Sequence, residues 1–169
     1  MSNSLLTEGV GDLRLDRFCG REIYPITRAI WNLYPDDELG MMNLCLSIEA
    51  GHGTSLHEDT EALNAQPTWE VNVVEKDLAV ASLISGASLA VPLGYDEDRG
   101  GHVTNFYYCE HEGSDENTIK ILAVDGDRLL IRLEGETMDV NYYDGSKPSA
   151  KLFIETWFVH DAKTKRSMQ

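Results

Sequence analysis

Two alternating apolar runs around Gly126 constrain the fold more than any other feature of the sequence. Apolar side chains recur at every second position in residues 119–124 and again in residues 129–133, with Asp125-Gly126-Asp127 between them. Alternation of this kind is typical of a strand with one buried face, and Asp-Gly tolerates the positive φ values of a tight turn. The segment is therefore predicted to be a β-hairpin.

Several other segments repeat this pattern. Alternating or β-branched runs predict further strands in residues 13–23, 43–49, 69–73, 103–111, 138–143 and 152–159. Clusters of Gly, Pro and Asp bound these short runs, which favours sequential antiparallel strands. We predict a single all-β domain over residues 1–161, an antiparallel β-sandwich or barrel, followed by a polar tail over residues 162–169.

Helix is expected to be scarce. Apolar residues at positions 26, 29, 30 and 33 follow the i, i+3, i+4, i+7 spacing after a proline that suits a first helical turn, which predicts one short helix over residues 25–34. Residues 77–85 are ambiguous between a helix and an extended segment. The fold is thus expected to hold at most one or two short helices.

The formal net charge of −15 is unevenly distributed along the 169 residues. Residues 51–117 hold 13 acidic and two basic side chains, whereas residues 118–169 hold eight of each. Nucleic acid and anionic membranes require a concentrated cationic surface, so neither is an expected partner. A local excess of carboxylates suits a basic protein partner, bound cations or a soluble face.

The N-terminus and the cysteines indicate the compartment. The first residues lack a positive start followed by an apolar stretch, and no segment reaches the ~20 apolar residues of a membrane span. Cys19, Cys45 and Cys109 are odd in number and widely spaced, so we expect reduced and mostly buried thiols and neither disulfides nor a zinc ribbon. The protein is therefore expected to be cytoplasmic.

Histidines and carboxylates after the predicted strand 43–49 and in the strand 103–111 are candidate metal ligands. They are His52, His57, His102, His111, Glu58 and Glu110. Their spacing matches neither H-E-x-x-H nor a cupin-like pair, so a site requires that the fold bring them together. If they converge, a carboxylate such as Glu58 or Glu110 serves as general base beside a divalent metal. Otherwise they are exposed side chains, and Cys109 packs inward.

Aspartates in predicted turns are candidates for a calcium site. Residues 96–107 begin like an EF-hand loop, but the fifth position is Gly100 and the twelfth is Tyr107, so that motif fails. A looser cage on adjacent loops stays open, although turn chemistry alone also explains these residues. The aspartates concerned are Asp96, Asp98, Asp125, Asp127 and Asp144.

Paired tyrosines beside carboxylates define a candidate docking surface. Tyr107-Tyr108 and Tyr142-Tyr143 each place one ring on either face of a predicted strand, so one of each pair is expected outside the core. An exposed ring supplies rigid contact area and its hydroxyl supplies a hydrogen bond. The residues expected to contact a partner are Glu58, Asp59, Glu61, Tyr107, Glu110 and Glu112.

Catalytic signatures are missing from the sequence. It has no G-x-S-x-G elbow, phosphate-binding loop or dinucleotide fingerprint. The leading hypothesis is a small non-catalytic binding protein whose acidic middle third docks a basic protein, as toxin-neutralising proteins dock basic enzymes. A metal-dependent enzyme is the alternative, and homo-oligomerisation through exposed strand edges is a third hypothesis.

Overall fold

The computed structural model describes residues 11–55, 65–140 and 142–162. These ranges form thirteen strands and one 3-10 turn, Val80–Ser82. The strands are β1 (Asp12–Arg17), β2 (Gly20–Asp36), β3 (Met41–Ala50), β4 (Thr54–Ser55), β5 (Thr68–Glu75), β6 (Ser88–Val91), β7 (Tyr95–Asp96), β8 (Gly101–His102), β9 (Thr104–Tyr107), β10 (His111–Glu112), β11 (Ser114–Asp125), β12 (Arg128–Thr137) and β13 (Ala150–His160).

Eleven of these strands join into one large sheet. Its order is β10-β9-β5-β3-β2-β1-β13-β12-β11-β6, with β4 against β2, while β7 and β8 form a separate hairpin. The described pairings are antiparallel apart from a short parallel contact between the middle of β2 and the end of β13. The prediction of an antiparallel all-β sandwich or barrel is confirmed. The one-domain assignment of residues 1–161 extends beyond the described residues and stays a prediction.

The hairpin around Gly126 forms as predicted. β11 and β12 pair, with two register shifts, up to Asp125 opposite Arg128, and Gly126 takes a φ of +61° at the turn. Glycine adopts this left-handed conformation without the steric cost that a Cβ imposes. The alternating residues of β12 accordingly divide into a buried face and a partly exposed one.

Most of the other predicted strands are also present. Residues 43–49, 69–73 and 152–159 lie within β3, β5 and β13. Residues 13–23 and 103–111 each divide into two strands around a reversal of the chain, giving β1 with β2 and β9 with β10. Short runs of alternation therefore located the strands better than they located the turns between them.

The predicted strand over residues 138–143 is wrong. The described part of this segment is irregular, and the neighbours Asp139 and Val140 are both fully buried. Successive residues of a strand point to opposite faces, so burial of both is not the alternation expected of a half-buried strand. The Asp139 carboxylate reaches the buried guanidinium of Arg17, which accounts for its inward position.

The predicted helix over residues 25–34 is also wrong, because this segment belongs to the 17-residue strand β2. The register between β2 and β3 shifts between Ile26 and Arg28, which marks a β-bulge. Tyr24 and Ile26 are buried before the bulge and Trp31 after it. The extra residue of a bulge changes whether even-numbered or odd-numbered side chains point into the core. The spacing of apolar residues across the bulge therefore resembles that of a helix.

No helix in the described ranges is long and apolar enough to cross a membrane.

The large sheet curls until its two halves meet. β9 approaches β11, and β6 approaches β5. Between the halves, Trp69 Nε1 donates to Ser114 Oγ at 2.9 Å, and that hydroxyl donates to Asn117 Oδ1 at 2.6 Å. All three residues are fully buried. Gly135 packs against them, since a Cβ there would lie 2.5 Å from Asn117 Oδ1 and 2.9 Å from the Trp69 ring.

Candidate functional site

A cleft of about 370 Å³ lies between the end of β5 and the strand β6. One wall is residues 72–75, the opposite wall is residues 90–93, and residues 95–98 with Val103 complete the lining. Val103 and one valine from each wall are buried, whereas the rim is exposed. The cleft thus has an apolar base that opens to solvent.

The segment that contains β6 carries the three most exposed large apolar side chains of the described chain. Val80, Ile84 and Leu93 are 65%, 59% and 64% exposed, the highest values among the large apolar side chains in the described ranges. Val80 and Ile84 precede β6, and Leu93 follows it and lines the cleft. An exposed apolar side chain such as Leu93 at the polar rim of a cleft is a feature of interaction surfaces.

Carboxylates form part of the lining of the cleft. Glu75, Asp96, Glu97 and Asp98 line the cleft, and among the described residues no lysine or arginine does. The nearby Arg99 is engaged by Asp36, with Nη2 2.6 Å from Oδ2. The rim of the cleft therefore carries a net negative charge that its own cations do not neutralise.

Those of the expected docking residues that the structure describes do not line the cleft. Tyr107 is half-buried on the outer face of β9, Glu110 is exposed in the turn, and Glu112 is partly buried on β10. Tyr108 is fully buried, so the expected split of this tyrosine pair between two faces is confirmed. Three further expected residues, Glu58, Asp59 and Glu61, fall outside the described residues.

The second tyrosine pair does not lie on a strand. Tyr142 and Tyr143 are both partly buried in the irregular connection between β12 and β13. The Tyr142 ring packs edge-on against Phe18, with 5.4 Å between centroids, and Lys147 lies over both rings. The expectation that a strand places these two tyrosines on opposite faces is wrong because the strand itself is absent.

The candidate metal ligands in the described ranges have separate partners. His52 is exposed, and its Nε2 lies 2.7 Å from the Nε2 of Gln66. His102 packs against the edge of the Tyr95 ring, with 5.2 Å between centroids. Each imidazole therefore interacts with a group of its own hairpin or loop.

His111 also has local partners. Its Nδ1 lies 3.1 Å from Asn105 Oδ1, and its ring stacks on Tyr107 with 4.8 Å between centroids. Neighbouring Cys109 is exposed, so the expectation that it packs inward is wrong. Antiparallel pairing of β9 with β10 brings Asn105, Tyr107 and His111 to one outer face.

Within the described ranges, no three His, Cys, Asp or Glu side chains are placed to hold a metal ion. His57 and Glu58 fall outside those ranges, so the metal-site hypothesis stays a prediction. Elemental analysis of the untagged protein tests it, with near-stoichiometric zinc, iron, manganese or nickel as the supporting result. Protein that stays metal-free after incubation with these ions would contradict it.

The turn aspartates have roles within their own turns. Asp96 Oδ1 accepts the backbone N–H groups of Asp98 and Arg99, at 3.0 and 3.2 Å. Asp144 Oδ1 accepts the N–H of Ser146 at 3.0 Å, and this hydrogen bond lowers the pKa of Asp144. These contacts are the turn chemistry that the sequence offered as the alternative to calcium.

A similar local role applies to the hairpin between β11 and β12. Asp125 pairs with Arg128 at 2.5 Å, and the backbone carbonyl of Asp127 accepts the indole N–H of Trp31 at 2.8 Å. The calcium hypothesis gains no support from these contacts and stays a prediction.

The strongest electrostatic feature of the described chain is a buried cluster that the sequence reasoning missed. Arg17 Nη2 lies 3.0 Å from Asp139 Oδ1, and Arg17 Nη1 lies 3.3 Å from Glu22 Oε2. Glu22 Oε1 accepts hydrogen bonds from the hydroxyls of Tyr24 at 2.8 Å and Tyr108 at 2.6 Å. These side chains join β1, β2, the end of β9 and the connection before β13 inside the core.

Burial shifts the titration of this cluster. The pKa of Tyr108 and that of Tyr24 are both raised, chiefly because burial disfavours the phenolate and also because Glu22 is negatively charged. The pKa of Arg17 is raised as well: burial opposes its charge, but the hydrogen bond and the charge of Asp139 together outweigh burial. The cluster is enclosed by the core, so its geometry indicates a structural role.

The cysteines are free, as predicted. Cys19 and Cys45 are partly buried and Cys109 is exposed, so the expectation of mostly buried thiols is wrong. Cys19 and Cys109 lie at chain reversals, where burial is lower than in the strands on either side.

Comparison with known proteins finds no family model, no curated protein and no solved structure that matches this chain. The geometry of the cleft is therefore the basis for assigning a function.

A sequence signal for the cleft does exist. Residues 78–95 contain no charged side chain, although they lie inside the most acidic part of the chain. The total charge of residues 51–117 conceals this 18-residue uncharged run. An uncharged run between carboxylates is therefore the sequence signal that corresponds to this cleft.

Proposed function

We propose that this chain is a small non-catalytic binding protein of the cytoplasm that docks a basic protein partner at the cleft between β5 and β6. The observation that carries the proposal is the combination of an exposed apolar segment with a rim of carboxylates. Leu93 and the buried base of the cleft offer apolar contact area, and Glu75, Glu97 and Asp98 surround it. An apolar centre with a polar rim is the usual arrangement of a protein interface.

Charge complementarity selects the class of partner. The net charge of −15 and the acidic rim repel acidic proteins and attract basic ones. Carboxylates at a rim accelerate association and suppress wrong partners, while the apolar contacts set the lifetime of the complex. Free thiols at Cys19, Cys45 and Cys109 fit a reducing compartment.

Charge reversal at the cleft should weaken binding of the partner. The protein is immobilised, a basic protein is captured from lysate, and that protein is then purified and titrated against each variant by calorimetry. Glu97→Lys with Asp98→Lys is expected to reduce affinity at least about tenfold, mainly through the association rate, because the rim then repels a basic surface. The difference should shrink in high salt, which screens exposed charges.

The matched control changes the same total charge at the surface that the sequence alone favoured. Glu110→Lys with Glu112→Lys is expected to alter affinity less than about twofold if docking is confined to the cleft. Equal losses in both double variants would mean that only total charge matters. A loss confined to Glu110 and Glu112 would place docking at the β9–β10 hairpin, and repeated capture of no basic protein would overturn the function.

A further inference from the structure

We infer that the basic partner contributes an extended segment that adds a strand to the free edge of β6, an inference that rests on the proposed docking function. β6 is the last strand of the large sheet, and within the described ranges it pairs only with β11. Its other edge borders the cleft, where Ala90 and Val91 form part of the wall. An unpaired edge is a template for a strand from another chain.

The backbone of β6 shows which groups face outward. The carbonyl of Ala87 accepts the N–H of Ile121 at 2.9 Å, and the carbonyl of Val91 accepts the side-chain amide of Asn117 at 2.9 Å. The carbonyls of residues 87 and 91 therefore point toward β11, and by alternation Leu89 directs its polar backbone groups the same way. Since these directions alternate along a strand, Ser88 and Ala90 direct theirs toward the free edge.

The edge of this four-residue strand lacks two of the usual protections against pairing, charged side chains and proline. Natural edge strands carry charged side chains, prolines or bulges that deter a second strand. The strand Ser88–Val91 has no charged residue, and Ser88 and Ala90 are small and exposed. Proline enters only at Pro92, after the strand has ended. Two residues with outward N–H and C=O groups can form four hydrogen bonds with an incoming segment.

The cleft specifies the side chains of that segment. Successive side chains of an added strand point to opposite faces. A segment that alternates apolar and basic residues can therefore contact the apolar base of the cleft with one face and its carboxylates with the other. Apolar side chains fit against the buried Val73 and Val91, and basic ones approach Glu75, Glu97 and Asp98. A second copy of this chain is a poorer occupant, because two acidic rims would meet.

Proline substitution at the edge tests this mode directly. Ala90→Pro removes an outward N–H and leaves the bonds to β11 intact, as proline is tolerated on the free side of an edge strand. The probe is a capped synthetic peptide in which lysine and valine alternate. Its binding is expected to weaken about tenfold in Ala90→Pro, and by less than about twofold in Ala90→Val, which keeps the N–H.

A second arm tests the mode without changing the protein. The same peptide, methylated at alternate backbone nitrogens, is expected to bind about tenfold more weakly to the unmodified chain, because it cannot donate to the edge. Equal binding of both peptides, equal binding by Ala90→Pro, or no peptide binding at all would overturn strand addition. If Glu97→Lys with Asp98→Lys still weakens binding of the protein partner, docking stands without it. A dimer in sedimentation that Ala90→Pro disrupts would identify a second copy as the occupant and overturn the inference.

Discussion

Removal of the Asp139 carboxylate is expected to cost about 3–5 kcal/mol of unfolding free energy, because the buried Arg17 guanidinium donates to both oxygens of that carboxylate inside the core. Arg17 and Asp139 are both at most 1% exposed in their side chains, and Nη2 lies 3.0 Å from Oδ1. A small domain has only about 5–15 kcal/mol of stability in total. Asp139→Ala should therefore lower the urea midpoint strongly at neutral pH, as followed by tryptophan fluorescence.

Asp16 supplies a matched control on the surface. Its carboxylate lies 2.6 Å from Arg21 Nε, a shorter contact than the one at Asp139, but both side chains are substantially exposed. Exposed pairs contribute about 0–1 kcal/mol, so Asp16→Ala should change the midpoint little. If Asp139→Ala is too unstable to purify, Asp139→Asn retains an acceptor oxygen for Arg17 and should fall between the two. Equal losses for Asp16→Ala and Asp139→Ala would show that the buried cluster does not stabilise the fold.

The sequence distance within this cluster explains why sequence reasoning missed it. Arg17 and Asp139 are separated by 122 residues, and no local pattern links them. Local alternation does indicate that Arg17 is buried, because Arg17 follows Leu13 and Leu15 at every second position, on the side of β1 that faces the core. A charged residue at an inward position requires a buried partner, but only the fold identifies Asp139 as that partner.

Strands were predicted correctly where the alternating residues and the turn that joins them are adjacent in the sequence. The hairpin at Gly126 needs only two adjacent runs and a glycine with positive φ. Prediction failed in β2, because the bulge after Ile26 changes the inward parity and produces a helix-like spacing. Bulges are set by pairing with a neighbouring strand, so β2 could not be distinguished from a helix by its own pattern.

The sequence reveals the acidic excess but does not reveal the cleft at which we propose that docking occurs. The acidic excess of residues 51–117 is visible in the sequence, and the rim of the cleft belongs to it. From its sequence, the uncharged run over residues 78–95 is expected to be buried. In the structure, however, Val80, Ile84 and Leu93 of this run are exposed. Exposure is a property of tertiary structure, which is why the cleft required the fold.

Alkaline solution is expected to unfold the protein through the same buried cluster. Tyrosine in an unfolded chain loses its proton near pH 10, whereas burial raises the pKa of Tyr24 and Tyr108 in the fold. Above about pH 10 the unfolded chain has therefore released two protons that the fold still holds. The free energy of unfolding then falls with pH by roughly 2.7 kcal/mol per unit for the two groups, and this stability is complete only below that range. Urea unfolding between about pH 9 and 11 measures the slope.

Phenylalanine variants assign this slope to particular tyrosines. Tyr108→Phe removes one titrating group and should reduce the slope by about half of that amount, whatever it does to stability at neutral pH. Tyr95→Phe is the control, since Tyr95 is 46% exposed and lies outside the cluster. Phenolate absorbance of the folded protein provides an independent check, because Tyr24 and Tyr108 should ionise only as the fold is lost. An unchanged slope in Tyr108→Phe, or ionisation of all tyrosines near pH 10 in folded protein, would contradict this account. The core and the negative charge of Glu22 both disfavour a phenolate at Tyr24 and Tyr108, so these tyrosines keep their protons until the protein unfolds. This cluster therefore sets the highest pH at which the fold is stable.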